Sequence, residues 1–460
     1  MSDPAPVEPL QGSTVPAAVR IRSSAWVFAA QIAKTALSIP VGIILARTLG
    51  AGGKGSVTVV QTTAAMTVAL LNIGMPSAVM WLSARGKASG RGSLVLGAGF
   101  AAAAVALAGA ITFVVGPQAV ATRLGLSSGL LFLLAVAAIV PSMLNYFIDS
   151  YLLGRGAIRA LSTIDVATLS CQLVGMAGLA LTHRLTTVSA LLLWLAINAA
   201  AMLWKAYLAL RSDAGVRGAT SGDIWRDGRT FALKSWLGNT VTMLSLRQDM
   251  LLLAMLAGTR TVGIYSISVT AAELAWYVPN ALQSVATVKF AAENESTDLA
   301  ARMNRSVWPF TLAFAVLVFL LVAPLIPLVY GGQFSASVLP LLFLLPGIVA
   351  TSMSTSLSAW LTGRGHPQEP AMANVANMGV NLLANLALIP RFGAVGAALA
   401  STVSYTVATA VIVWRFRART GARIVDVLVP RGSDLKTMLD IAKIAVRDRL
   451  GARDDATPVE

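Results

Sequence analysis

Apolar runs of about twenty residues or more follow one another along nearly the whole chain, parted by short polar breaks. Each run is long enough to cross a hydrocarbon core of about 30 Å as a helix. Strand-like alternation is absent, so the pattern predicts helices and not an outer-membrane barrel. The breaks predict spans at 24–46, 56–82, 94–116, 129–153, 160–182, 187–210, 232–257, 264–290, 307–330, 337–362, 371–390 and 394–416. Gly, Ala, Ser and Thr recur inside the runs, as expected where helices approach closely in lipid. The expected fold is an all-α polytopic membrane protein of about twelve transmembrane helices. Around them the chain predicts a disordered tail at 1–23, a solvated linker at 211–231 holding Asp213, Asp223 and Asp227, and a basic tail at 417–460. Within that tail 434–450 reads as an amphipathic helix lying on the membrane surface, with Ser433 as its N-cap and Gly451 past its end.

Composition agrees with this pattern. Of 460 residues 56% are hydrophobic and 12% charged, against about 25% charged in soluble domains. A single cysteine, Cys171, excludes an internal disulfide or a cysteine metal cluster. The two histidines, His183 and His366, fall in loops, so no metal site or cofactor is expected.

The net charge of +15 would suggest nucleic acid in a soluble protein; its placement argues otherwise. Twelve spans put both termini on one side. Only Arg47, Lys54, Arg123, Arg184, Arg260 and Arg391 fall in loops on the other side, and only Lys34 and Arg247 fall inside spans. The rest of the 35 basic residues share the side of the termini, which predicts cytoplasmic termini in a bacterial inner membrane. The expected partner of that charge is anionic lipid, and no nucleic acid is expected.

The chain also repeats. ARTLGAGGKG at 46–55 matches AMLAGTRTVG at 254–263, an offset of 208. GLALTHRLTTVSALL from Gly178 matches NLALIPRFGAVGAAL from Asn385, and Trp204-Lys205 is echoed by Trp414-Arg415. Each half holds six spans in the same orientation, giving lobes at 24–210 and 232–416 related by an axis along the membrane normal. Such architectures enclose a central cavity and work by rocking one half against the other.

Three stretches carry a family resemblance: IILARTLGAGGKG (43–55) with NIGMPSAV (72–79), DMLLLAMLAGTRTVGIYSIS (249–268), and NLLANLALIPRFGAVGAALAST (381–402). Through them the chain resembles the polysaccharide, or lipid-linked oligosaccharide, flippases of the multidrug/oligosaccharidyl-lipid/polysaccharide (MOP) exporter superfamily, over about 24–416. The resemblance implies a V-shaped pair of six-helix lobes around a central cavity. It implies alternating-access transport of an isoprenoid-pyrophosphate-linked oligosaccharide for surface polysaccharide such as exopolysaccharide, alongside polysaccharide-assembly proteins. Peptidoglycan-precursor flippases of the same superfamily have fourteen spans and fit less well. A cation-coupled multidrug exporter is the main alternative. An enzyme is not expected, because the outside loops are short and hold no acid in the longest.

Four charged side chains lie deep in the spans: Lys34 in the first, Arg247 and Asp249 in the seventh, Glu273 in the eighth. Each ionised group costs about 2.5–3.5 kcal/mol at the bilayer centre, so each is expected to face a watered cavity or a partner. Arg247 and Asp249, two positions apart, point about 200° away from each other on a helix and need separate partners. Toward a pyrophosphate, Arg247 offers a planar fork and Lys34 a point charge; for Lys34 the alternative is pairing with Asp249 or Glu273. Glu273 and Asp249 are candidates for coupling to H⁺ or Na⁺, with ion pairs between helices as the plain alternative. Asn374, Asn377, Asn381 and Asn385 form a ladder on one face of the eleventh span. Asn381 and Asn385, with Asn145 of the fourth span, are candidate contacts for sugar hydroxyls, or else hydrogen bonds between helices. Asp149 is expected to pair with Arg155 and Arg159, and Asp165 to serve only as a first-turn acid.

Overall fold

The computed structural model describes residues 17–213, 219–292, 297–432 and 434. Among them nine helices are long and apolar enough to cross a membrane, and no strand occurs. Three of the nine, Ala17–Leu71, Ser221–Ala292 and Gln368–Thr420, hold 55, 72 and 53 residues. Straight helices of that length would run about 80–108 Å, far beyond a bilayer core of about 30 Å. Each is divided by one residue outside the helical region: Gly50 (φ 67°, ψ −175°), Gly258 (φ 79°, ψ 166°) and Gly393 (φ 54°, ψ −127°). A residue with a Cβ is strained at all three conformations, and glycine adopts them freely. Counting these three as pairs restores the twelve spans that the apolar runs predict. The turns at Gly50, Gly258 and Gly393 lie at one end of the bundle, called distal below; the loops at 85–89 and 364–367 lie at the other.

Gly50 and Gly258 are separated by the repeat offset and share one backbone conformation. Five residues further on the repeat closes on itself. A Cβ on Gly55 would sit 1.7 Å from Thr259 O, and one on Gly263 would sit 2.0 Å from Ala51 O. The two contacts are reciprocal under the offset, so the second and eighth spans cross backbone to backbone where the lobes meet. The largest apolar core surrounds this crossing, with Ala46, Val59 and Leu131 of the first half against Leu253, Tyr265 and Phe334 of the second.

The lobes are also joined by the start of the seventh span. Residues 221–231, expected as a solvated linker, are helical. Ile224 and Ala232 are buried in the apolar core of the first lobe, beside Met75, Ala78 and Leu82. Trp81 stacks on Phe231 at 5.3 Å. Where this helix docks, the second span breaks at Asn72–Gly74: Asn72 bonds Val68 O, Ala69 O and Gly74 N with its own amide, and the helix restarts at Met75-Pro76. A Cβ on Gly74 would meet Ala232 O at 2.1 Å, so the break lets the two backbones touch. Asp213, also expected in the solvated linker, instead caps the third span by accepting from Gly90 N (2.7 Å) and Arg91 N (2.9 Å).

The first span starts at Ala17, so 17–23 of the expected disordered tail is helix; the remainder of that tail lies outside the described residues. The amphipathic helix expected at 434–450 also lies outside them, except for Asp434. Before it, Ile424–Leu428 runs back across the ninth span. Buried Arg305 grips Asp434 (Nε–Oδ2 2.9 Å) and the carbonyl of Asp426, and Trp308 Nε1 donates to Leu428 O at 2.9 Å. The Arg305 guanidinium holds the Asp434 carboxyl below the usual carboxylate range.

Candidate functional site

Two adjoining cavities interrupt the apolar interior. One of about 530 Å³ lies within the second lobe, walled by the seventh, eighth, tenth, eleventh and twelfth spans. The other, about 570 Å³, lies between the lobes, walled by the second, fourth, sixth and seventh. Thr242 and Leu246 line both, so the cavities share one face of the seventh span.

Helical spacing explains which residues reach the first cavity. Thr242, Ser245, Leu246 and Asp249 recur at three- and four-residue intervals on one face, as do Val269, Ala272, Glu273 and Trp276 on the eighth span. Arg247 stands beside its stripe and reaches the cavity through its long stem. Its guanidinium meets Glu273, Nη2–Oε1 3.5 Å, and both side chains remain about 40% exposed (40% and 43%). Asp249 is buried: its carboxylate accepts from the Tyr265 hydroxyl at 2.7 Å and from Met250 N at 2.8 Å. Separate partners for Arg247 and Asp249 therefore occur as helical geometry requires, although both residues line the same cavity. Trp276 packs on Tyr405, ring centroids 5.6 Å apart, at its wall.

The asparagine ladder divides. Asn374 and Asn377 line the cavity. Asn381 and Asn385, read as sugar contacts, are buried in a network between helices and line neither cavity. Asn381 Oδ1 accepts from Gln248 Nε2 and from Asn385 Nδ2, both at 2.8 Å, and Asn381 Nδ2 donates to Ser404 Oγ at 3.3 Å. One buried amide serving three helices is a tie that apolar side chains cannot make. Asn145 is half-buried, with its amide donating to Asn198 O at 3.3 Å, and it lines neither cavity.

Lys34 does not join Arg247. Its ammonium meets Asp165 Oδ2 at 3.3 Å, in place of the expected Asp249 or Glu273. Asp165 also meets Lys205 at 3.1 Å, and Lys205 meets Asp149 at 2.8 Å, so Asp149 pairs with Lys205 and not with Arg155 or Arg159. The result is a neutral chain of four charges across the first, fifth, sixth and fourth spans, with Lys205 buried at its centre. Lys205 escaped sequence reading, although the Trp204-Lys205 echo of Trp414-Arg415 had marked the position.

No family model and no curated protein matches the sequence. Solved structures do match over most of the chain. One is described as the lipid II flippase MurJ in an inward closed conformation, at 12% identity and TM-score 0.69, covering 86% of this chain and 87% of that one. A MATE-family multidrug resistance transporter of the MOP superfamily, inward-facing, is similar at 15% identity and TM-score 0.56, covering 84% and 94%. A MOP superfamily transporter from Pyrococcus furiosus, whose description notes a binding pocket of reversed polarity, is similar at 17% identity and TM-score 0.52, covering 88% and 96%. At these identities the likeness concerns the fold, and that fold is the MOP one.

Proposed function

We propose that this chain is a flippase of the bacterial inner membrane, with both termini cytoplasmic, that moves an isoprenoid-pyrophosphate-linked oligosaccharide by rocking its two lobes. The observation that carries the reading is Arg247, the one cationic side chain among the described residues lining the cavity within the second lobe. A pyrophosphate crossing the midplane must replace part of its hydration, and a planar fork of donors does so in two-point contact. The basic asymmetry of the loops supports the orientation, and the MOP fold, shared with a protein described as a lipid II flippase, supports the class.

Glu273 supplies the coupling in this reading. While ionised it occupies Arg247; binding H⁺ or Na⁺ at the carboxylate frees the guanidinium for phosphate, so occupation by the cation and by the substrate is linked through one ion pair. Asp249, tied to Tyr265 beside that pair, is the second candidate for the cation. Arg247→Ala is expected to lower glycan export at least tenfold, from the roughly 1.5–3 kcal/mol of a charged hydrogen bond. Lipid-linked intermediate should accumulate on the cytoplasmic leaflet. Normal surface glycan at normal protein level would remove Arg247 from the site. Glu273→Gln should leave substrate binding in place while transport in proteoliposomes loses its response to an imposed ion gradient; an unchanged response would remove Glu273 from coupling.

A second reading, a cation-coupled multidrug exporter, is favoured by Glu273 beside Trp276 and Tyr405, a carboxylate with aromatic faces suited to a cationic drug. Loss of the protein separates the two. The flippase reading expects lost surface glycan, and the exporter reading expects raised drug sensitivity with glycan intact.

A further inference from the structure

We infer that the uncharged cavity between the lobes is a glycan subsite, separate from the charged cavity beside it. This rests on the flippase reading above. None of the side chains lining the interlobe cavity is ionisable as an acid, a lysine, an arginine or a histidine. Its wall instead combines two aromatic rings, Trp194 and Tyr146, with the amides of Gln61 and Asn239. The Gln61 amide, the Tyr146 hydroxyl and the Trp194 indole N–H make no hydrogen bond among the described residues. All three side chains are at least partly exposed, so their donors are open to the cavity and available to a polar, uncharged guest.

A sugar ring fits these requirements together. Its C–H face packs on an indole or phenol ring, and its hydroxyls accept from the unspent donors. An isoprenoid tail would leave those donors unsatisfied, and a cationic drug would find no carboxylate in this wall. The volume of about 570 Å³ lies in the range of small-molecule sites. Thr242 and Leu246 line both cavities, and Arg247 follows Leu246 in the chain. An oligosaccharide between the lobes thus continues directly into a pyrophosphate at Arg247. The first lobe contributes both rings and the Gln61 amide, the second contributes the Asn239 amide and the charge, and rocking the lobes acts on both parts of one molecule.

The test is binding to the full-length protein in nanodiscs, with a polyprenyl pyrophosphate that is either bare or carries a trisaccharide. Trp194→Ala and Gln61→Ala are each expected to weaken the glycosylated lipid about tenfold while leaving the bare lipid within about twofold. Trp194→Phe, which keeps a stacking face, should recover most of the loss. Equal losses on both lipids, or no loss on the glycosylated one, would overturn the subsite; so would a wild-type protein that binds the two lipids alike. Should Trp194→Ala fail to fold, Gln61→Ala reads the same difference. Arg247→Ala should weaken both lipids. If it weakens neither while Trp194→Ala still discriminates, the phosphate reading fails and the glycan subsite stands.

Discussion

Lys205 holds a buried ammonium between two carboxylates of other helices, and Asp165 carries the chain on to Lys34. Removing one partner from a buried ion pair leaves the other uncompensated, at a cost of about 3–5 kcal/mol. Asp149 and Asp165 keep side-chain exposures of 32% and 35%, so Lys205→Met is expected to cost about 3 kcal/mol, the lower end of that range. Thermal unfolding in detergent reads the loss. Lys34→Met should cost less than about 1 kcal/mol, because Asp165 retains Lys205 and the outer pair is a third open to solvent. Equal effects of the two substitutions would contradict the central role of Lys205. The chain also shows what the sequence carries at this scale. The divergence of Arg247 from Asp249 follows from the rotation of a single helix and was legible. The partners of Lys34 depend on how four helices are rotated against one another, which no single segment specifies. Lys205 lies near the end of its span, where lysines commonly snorkel to the interface, so its burial left no trace in the local pattern.

The elements were legible where hydropathy or backbone chemistry governs them. Twelve apolar runs gave the spans, and the offset of 208 paired two turns that share one glycine conformation. The linker misled because 221–231 contains Asp223, Arg226, Asp227 and Arg229. Its apolar face of Ile224, Trp225 and Phe231 is short, and the surface covering it belongs to the other lobe. Gly55 and Gly263 gave only a matching pattern in sequence; their reciprocal contact emerges once the second and eighth spans cross. That crossing yields a prediction. A methyl group on Gly55 or Gly263 would overlap a carbonyl of the opposite lobe, at 1.7 and 2.0 Å. Gly55→Ala and Gly263→Ala should each keep the distal ends apart, raising the reactivity of a cysteine placed on the distal faces toward a membrane-impermeant reagent. Gly52→Ala is the control, since a Cβ there meets nothing within 4 Å. Unchanged labelling of both variants, with the control folded, would show that the distal closure tolerates separation at this point.

Across the whole molecule, distal closure depends on two further contacts, in which each lobe caps a helix end of the other. Arg47, leaving the first span, donates through Nε to Val329 O at 2.7 Å and through Nη2 to Leu328 O. These are last-turn carbonyls of the ninth span, which lack helical partners and favour a cation. In return Gln333 Oε1 accepts from Ala51 N at 3.1 Å, a free N–H at the start of the second span. Neither residue is matched across the repeat: the positions 208 away are Met255 and Gly125. The lobes are therefore symmetric at the Gly55–Gly263 crossing and asymmetric at the latch. In the proposed rocking motion, separating the distal ends would break the latch while the contacts of the seventh span at Gly74 and Phe231 stay in place. Hydrogen bonds involving a charged group contribute about 1.5–3 kcal/mol each and neutral ones about 1 kcal/mol. Arg47 is exposed, so its two bonds fall well below that range, and Arg47→Ala with Gln333→Ala should shift the closed-to-open equilibrium at the distal end by about thirtyfold, for a loss of roughly 2 kcal/mol. A spin-label distance between cysteines placed at 52 and 260, away from the latch residues, reads the distal ends with the latch intact and follows their opening in the latch double variant. A distance distribution unchanged from the wild type would mean that the glycine crossing alone holds the distal end. A distribution moved to longer distances would make the latch the element that holds the distal end closed.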